Sequence, residues 1–392
     1  MLLPFLILLI PCLAWSEVKT EFNGNVEVQS RHSWNNPEAK AAPLNQDWKE
    51  ENFSQVFGNI GGKVELNNSR IEANWFGRAA YSPLYQNDYL ATQIYTFPNK
   101  LVARDVFKLQ YRRVDGDHQT DSTINKLFYE MDFDDNRFVF GRMFINYGLG
   151  EVFNPMNPFN QPTGLTSVNN FSQGNDGFRF TMFLNDYHTI NFFLLGDKSV
   201  EGYEGQIDRT LWVHGEYQVN DKLTLDYVIG EDQNRQKVGG QSSYQFEKAM
   251  VFGQLLYQTE LVNDEPSNNL WDVLLGYDQQ VTNLYHIRVE SGYQKKNLFP
   301  NLAFSDRFLP SEYFVSLANI YDIHPLVKLN GTLINDIKTG FTYFVGKSTW
   351  SMSHNIESEI FMYAPVGKGS SPDQLAQRLI TTDIGLALRA FF

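Results

Sequence analysis

The chain has 392 residues and a formal net charge of −13, which excludes a nucleic-acid binder and a basic membrane-surface protein. Its single cysteine, Cys12, lies near the N-terminus, so the rest of the chain has no disulfide and no thiolate metal site. Aromatic residues make up 15 %, with 31 Phe and 20 Tyr, yet after Ser16 no apolar run is long enough for a transmembrane helix.

Met1–Ser16 reads as a secretory signal. Leu2–Leu13 is the apolar core, and Ala14 and Ser16 place small residues for cleavage before Glu17. Pro11 makes the context of Cys12 a poor match to a lipoprotein signal. Residues 17–392 are read as a single domain.

From Glu17 to Ser30, Phe22, Gly24, Val26 and Val28 alternate with Asn23, Asn25, Glu27 and Gln29. That is the period of two of a strand with one apolar face. Arg31–Asn52, with Pro37 and Pro43, reads as a loop. A hairpin follows, turning at Asn67-Asn68, since Asn tolerates the left-handed backbone of a two-residue turn. It pairs Glu65 with Arg70, Val64 with Ile71 and Lys63 with Glu72.

Leu101–Val114 and Thr123–Phe133 read as strands, and a turn at Asp134-Asp135-Asn136 leads into Arg137–Tyr147. With Asp135 central, Phe133 faces Arg137. Lys126, Glu130, Asp132 and Arg142 then share the polar face, and Val139, Met143 and Ile145 the apolar one. Gly148–Asn175 is the longest loop. Phe178–Leu184 and Tyr187–Leu195 form a hairpin, as do the strands flanking Asn220-Asp221-Lys222, which set Glu216 opposite Asp226. Gln245–Leu261 reads as one long strand. Strands at 271–277, 285–293, 312–321, 327–335, 341–345 and 349–362 follow, then a loop, Ala364–Gln374. The last strand sets Ile384, Leu386, Leu388, Ala390 and Phe392 against Asp383, Gly385, Ala387 and Arg389.

Most of these segments exceed the ~5–6 residues of soluble strands and suit the ~9–11 that cross a bilayer. The pattern predicts an all-β, transmembrane, antiparallel up-and-down barrel of about eighteen strands (roughly sixteen to twenty) with long extracellular loops. Two reversals are out of place in this count. The Asp134–Asn136 turn falls at the wrong end, and one more turn is required between Tyr227 and Trp271.

Two stretches carry a family resemblance. Gly141-Arg142-Met143-Phe144-Ile145-Asn146-Tyr147-Gly148-Leu149-Gly150, with Asn154-Pro155 and Asn157-Pro158 after it, resembles a segment of porin-like outer-membrane barrels. It departs at Met143, where Gln is expected, and at Tyr147, where Trp is commoner. The C-terminal strand is similar to the closing strand of bacterial outer-membrane barrels. The resemblance implies a bacterial outer-membrane location, lipid around the barrel, and a signal at Leu386, Leu388 and Phe392 read by the barrel-assembly machinery. In such barrels one long loop often folds inward as a constriction; the alternative for Gly148–Asn175 is a loop standing out in solvent.

No Gly-x-Ser-x-Gly, His-Glu-x-x-His or P-loop is present, and no enzyme, cofactor or metal is expected. His214 and His286 fall on predicted lumen faces, and His354 on a lipid face. The candidate pore-lining charges are Lys63, Glu65, Arg70, Glu72, Arg78, Lys126, Glu130, Arg142, Arg288, Glu290, Glu357, Glu359 and Arg389. Arg or Lys facing lipid at mid-bilayer costs ~2–4 kcal/mol, so these residues must meet water. The expected function is a pore for passive diffusion of small hydrophilic solutes through a mixed-charge, slightly acidic lumen. The alternative is a plugged barrel whose loops, Gln161–Asn175 above all, hold a surface polysaccharide or a partner.

Overall fold

The computed structural model describes residues 18–34, 50–81, 109–157, 159, 174–198, 207–232, 235–262, 265–294, 312–338, 340, 342–366 and 382–392. The predicted signal lies outside them. The strands are β1 (Lys19–Trp34), β2 (Glu50–Leu66), β3 (Ser69–Tyr81), β4 (Gln110–Asp115), β5 (His118–Phe133), β6 (Asn136–Met143), β7 (Asn175–Asn185), β8 (His188–Lys198), β9 (Ile207–Asn220) and β10 (Leu223–Asp232). Then come β11 (Arg235–Gln245), β12 (Ala249–Val262), β13 (Glu265–Thr282), β14 (Tyr285–Gln294), β15 (Tyr313–His324), β16 (Val327–Asp336), β17 (Thr342–Ser353), β18 (Ile356–Val366) and β19 (Thr382–Phe391). All pair antiparallel, and β19 closes on β1 to form an 18-stranded barrel.

β4 is the strand outside that count. β3 pairs with β5 along its whole length, while β4 occupies only the His118–Thr123 part of the other edge of β5. Below it β6 takes the remainder, Leu127–Phe133. Residues 101–108 of the predicted strand over Leu101–Val114 lie outside the described residues; its described part is the partial strand β4, which stands outside the barrel count and so moves the next turn to the correct end. The second misplaced reversal is resolved by β11. Its sequence, Arg-Gln-Lys-Val-Gly-Gly-Gln-Ser-Ser-Tyr-Gln, has too few apolar residues to show a period of two. The predicted single strand over Thr349–Met362 is a hairpin that turns at His354-Asn355. The two-residue turn flips the parity of the facing strand, but a one-residue bulge between Ser351 and Ser353 flips it back, so Trp350, Met352, Ile356, Ile360 and Met362 all stay on the outer face. His354 lies in that turn rather than on the lipid face.

The register of β5 and β6 also differs from expectation. Asp134 adopts φ +47°, so Asp134-Asp135 alone closes the turn, and Phe133 pairs with Asn136. A one-residue slip turns every side chain to the other face. Val139 and Met143, expected outside, thus join the buried inner cluster with Ile145, while Phe138 and Phe140 face out against Phe178. The Asn67-Asn68 hairpin has the expected pairing, Glu65 with Arg70 and Lys63 with Glu72. The closing strand pairs over Asn25–Trp34, overlapping but passing beyond the expected Phe22–Val28.

Outer and inner faces separate cleanly. Leu386 is 57 % exposed and Ala387 2 %. Exposed Trp, Tyr and Phe gather near both rims: Trp34, Tyr81, Trp271 and Tyr313 toward the longer connections, and Phe133, Tyr187, Tyr321, Trp350 and Phe392 toward the tight turns. These are the aromatic girdles of a bilayer-spanning barrel.

Candidate functional site: the lumen and its inward segment

An 18-stranded barrel is wide enough to leave an aqueous channel unless something enters it. Here β6 ends at Met143, and the chain after it turns inward instead of continuing up the wall. Residues 148–157 and 159 of the predicted loop lie against the inner wall. Ile145, Met156 and Phe159 pack with Phe193, Trp212, Val228 and Leu256 on one side. Val152 and Phe153 pack with Phe252, Leu274, Phe314 and Ile334 on another. Tyr147 stacks on His214 with centroids 4.4 Å apart. Each such buried side chain contributes ~1.5–3 kcal/mol.

The segment is folded on itself by its asparagines. Asn154 Nδ2 donates to the Tyr147 carbonyl at 3.0 Å, and Asn157 Nδ2 to Asn146 Oδ1 at 2.8 Å. Gly148 has φ +85°, and a Cβ there would lie 2.2 Å from Asn154 Oδ1. The Gly and Asn-Pro pattern of the resemblance thus has a local cause: a compact turn that only a glycine and short amides permit.

The wall holds this turn through polar groups. Gln241 on β11 accepts from the Leu149 N–H at 3.0 Å. Glu290 on β14 accepts from the N–H groups of Glu151 and Val152 at 2.7 and 3.0 Å. Arg288, two residues before it, donates to the Leu149 carbonyl and to Glu290 Oε1. It also pairs with Asp278 at 3.2 Å and lies over the Phe252 ring. Neither Gln241 nor the loop-holding role of Arg288 and Glu290 shows in the sequence. Their partners are backbone groups about a hundred or more residues away, with no local pattern to betray them.

Most of the other candidate charges stand on the inner face in pairs. Arg70 meets Glu130 at 2.9 Å rather than its cross-strand neighbour Glu65, which pairs with Lys63. Lys126 meets Glu72 at 2.6 Å, and Arg78 meets Asp121. Arg137 and Arg179 also converge on Glu130, at 3.9 and 3.6 Å. Arg389 bonds Glu27 and Glu357 on its two neighbouring strands, at 2.8 and 3.3 Å. Glu359 lies buried two residues beyond Glu357. Arg142 is the exception. At 0 % exposure it meets no open lumen, and it bonds Asp176 at 2.7 and 2.8 Å and the Ile124 carbonyl at 3.0 Å. It fastens the wall where Asn125 bulges out of the β3–β5 ladder.

No family model and no curated protein matches the chain. Solved structures do. OccK9 (OpdG) of Pseudomonas aeruginosa superposes with a TM-score of 0.57 at 10 % identity, covering 96 % of this chain and 98 % of that one. The fold is that of a bacterial outer-membrane porin. OccAB4 of Acinetobacter baumannii gives 0.56 at 9 % identity, covering 96 % and 99 %. OpdQ of Pseudomonas aeruginosa gives 0.53 at 8 %, covering 96 % and 97 %. The similarity spans the whole barrel.

Proposed function

We propose that the chain, after loss of residues 1–16, is an outer-membrane channel through which small hydrophilic solutes diffuse. The observation that carries this reading is the pairing of a wide barrel with an inward segment that narrows it without being part of the wall. The solute would cross a mixed-charge lumen lined by the paired carboxylates, arginines and lysines of the inner face. Such linings set charge preference by the surplus that pairing leaves over, and acidic residues outnumber basic ones by 45 to 32 in the chain. A weak preference for cations and neutral polar solutes follows. Lipid surrounds the outer belt, and Leu386, Leu388 and Phe392 serve assembly.

The plugged, surface-binding alternative rests on Gln161–Asn175, nearly all of which lies outside the described residues, and no observation on the described residues favours it. The deciding experiment is reconstitution of purified protein in a planar bilayer. Stable step conductances, with a reversal potential of cation-selective sign in a salt gradient, are the expected result. Insertion without current would refute the channel.

A further inference from the structure

Arg288 and Glu290 occupy successive inner-face positions of β14, and their hydrogen bonds to the inward segment all go to its backbone. Arg288 takes the Leu149 carbonyl; Glu290 takes the N–H groups of Glu151 and Val152, one on each carboxylate oxygen. Glu290 is 1 % exposed and is itself oriented by Arg288 Nε at 2.8 Å. The wall therefore holds the course of the chain through backbone hydrogen bonds, and meets a side chain of the segment in the Arg288–Glu151 ion pair. The Glu151 carboxylate is left 52 % exposed toward the lumen, 3.5 Å from Arg288.

We infer that Arg288 and Glu290 are positioning residues that set the bore of the channel by gripping the backbone at 149–152, and that Glu151 is the charge they present to a passing solute. This rests on the channel reading for its consequence, though not for the grip itself. The two roles separate chemically. Glu290→Gln keeps the shape but turns one acceptor into an N–H donor facing a backbone N–H, so the grip fails. Glu151→Gln removes the presented charge and leaves every backbone contact in place.

The chain beyond Ser16 has no cysteine, which allows a direct test. Val152 is 7 % exposed and packed against the wall, so in a Val152→Cys variant the thiol is shielded while the grip holds. Maleimide labelling of the folded barrel in detergent should accelerate roughly tenfold or more when Glu290→Gln is added, since a buried donor has lost its partner. Glu151→Gln should leave the labelling rate unchanged. In bilayers, Glu290→Gln should raise single-channel conductance, while Glu151→Gln should shift the reversal potential toward anions at nearly constant conductance. Glu290→Asp, which keeps the acceptor, should restore much of the shielding. Equal labelling rates with and without Glu290→Gln, in barrels that remain heat-modifiable, would overturn the grip. A conductance change with Glu151→Gln but no selectivity change would overturn the role of Glu151. If no variant conducts, the channel reading falls while the labelling still decides the grip.

Discussion

Glu151 sits where several charges act at once. Enclosure by the barrel raises its carboxyl above the ordinary range, Arg288 pulls it down, and Glu290 and Asp278 push it further up. A raised pKa means that, as pH falls, Glu151 takes its proton before an ordinary carboxylate does. Cation preference measured from reversal potentials should therefore decline on acidification from neutral pH, starting above the usual carboxylate range. That early phase should be missing in Glu151→Gln. Gly148 offers a second residue-scale test. Alanine at φ +85° and against Asn154 should cost the turn ~1–2 kcal/mol, seen as faster amide exchange at Leu149–Val152 with the strands unaffected. The glycines and asparagines of this turn were readable in the sequence. What they enclose was not, because Gln241, Arg288 and Glu290 reach it from β11 and β14.

Among the elements, β19 shows how parity governs energetics. Leu386 and Leu388 face outward and Ala387 inward, so Leu386→Arg should destabilise the barrel by ~2–4 kcal/mol in denaturant titrations in lipid. The same strand carries the closure. Phe392 N–H donates to the Gly24 carbonyl and the Gly24 N–H to the Phe392 carbonyl, both at 3.0 Å, and the Phe392 ring lies over Gly24, 2.5 Å from where a Cβ would stand. Phe392→Ala should impair assembly in cells. Gly24→Val, which leaves the C-terminal strand intact, should lower the yield of heat-modifiable barrel on refolding into vesicles without any assembly machinery. Unchanged yields would mean the ring serves recognition alone. The closing strand and the Asn67-Asn68 hairpin were legible because each has an apolar face of period two. β11 was not, since Gly239, Gly240, Ser242 and Ser243 erase the period, and the partial strand β4 carried no sign of its length.

Over the whole molecule, the even strand number places both chain ends at the tight-turn rim, and the outer belt is apolar all round. Extraction should require detergent, and the folded protein should migrate faster on unheated gels than after boiling. Release by salt or carbonate washing would contradict a bilayer-spanning barrel. Inside, nearly every candidate charge has an opposite partner, and Glu357 is less exposed than Glu151 (31 % against 52 %), so single neutralisations on the wall, such as Glu357→Gln, should alter selectivity less than Glu151→Gln does.

The sequence by itself determined the class of the protein. Long alternating strands, a terminal aromatic strand and a cysteine-free body leave a membrane barrel as the economical way to satisfy the backbone while facing lipid on one side and water on the other. Local alternation carries that information because each residue's face depends only on its neighbours. Only the tertiary structure decided the strand count, the face of β6 and the fate of the loop after Met143. Those depend on one residue of register at Asp134 and on side chains of β11 and β14 meeting a distant backbone, neither of which a period of two can encode.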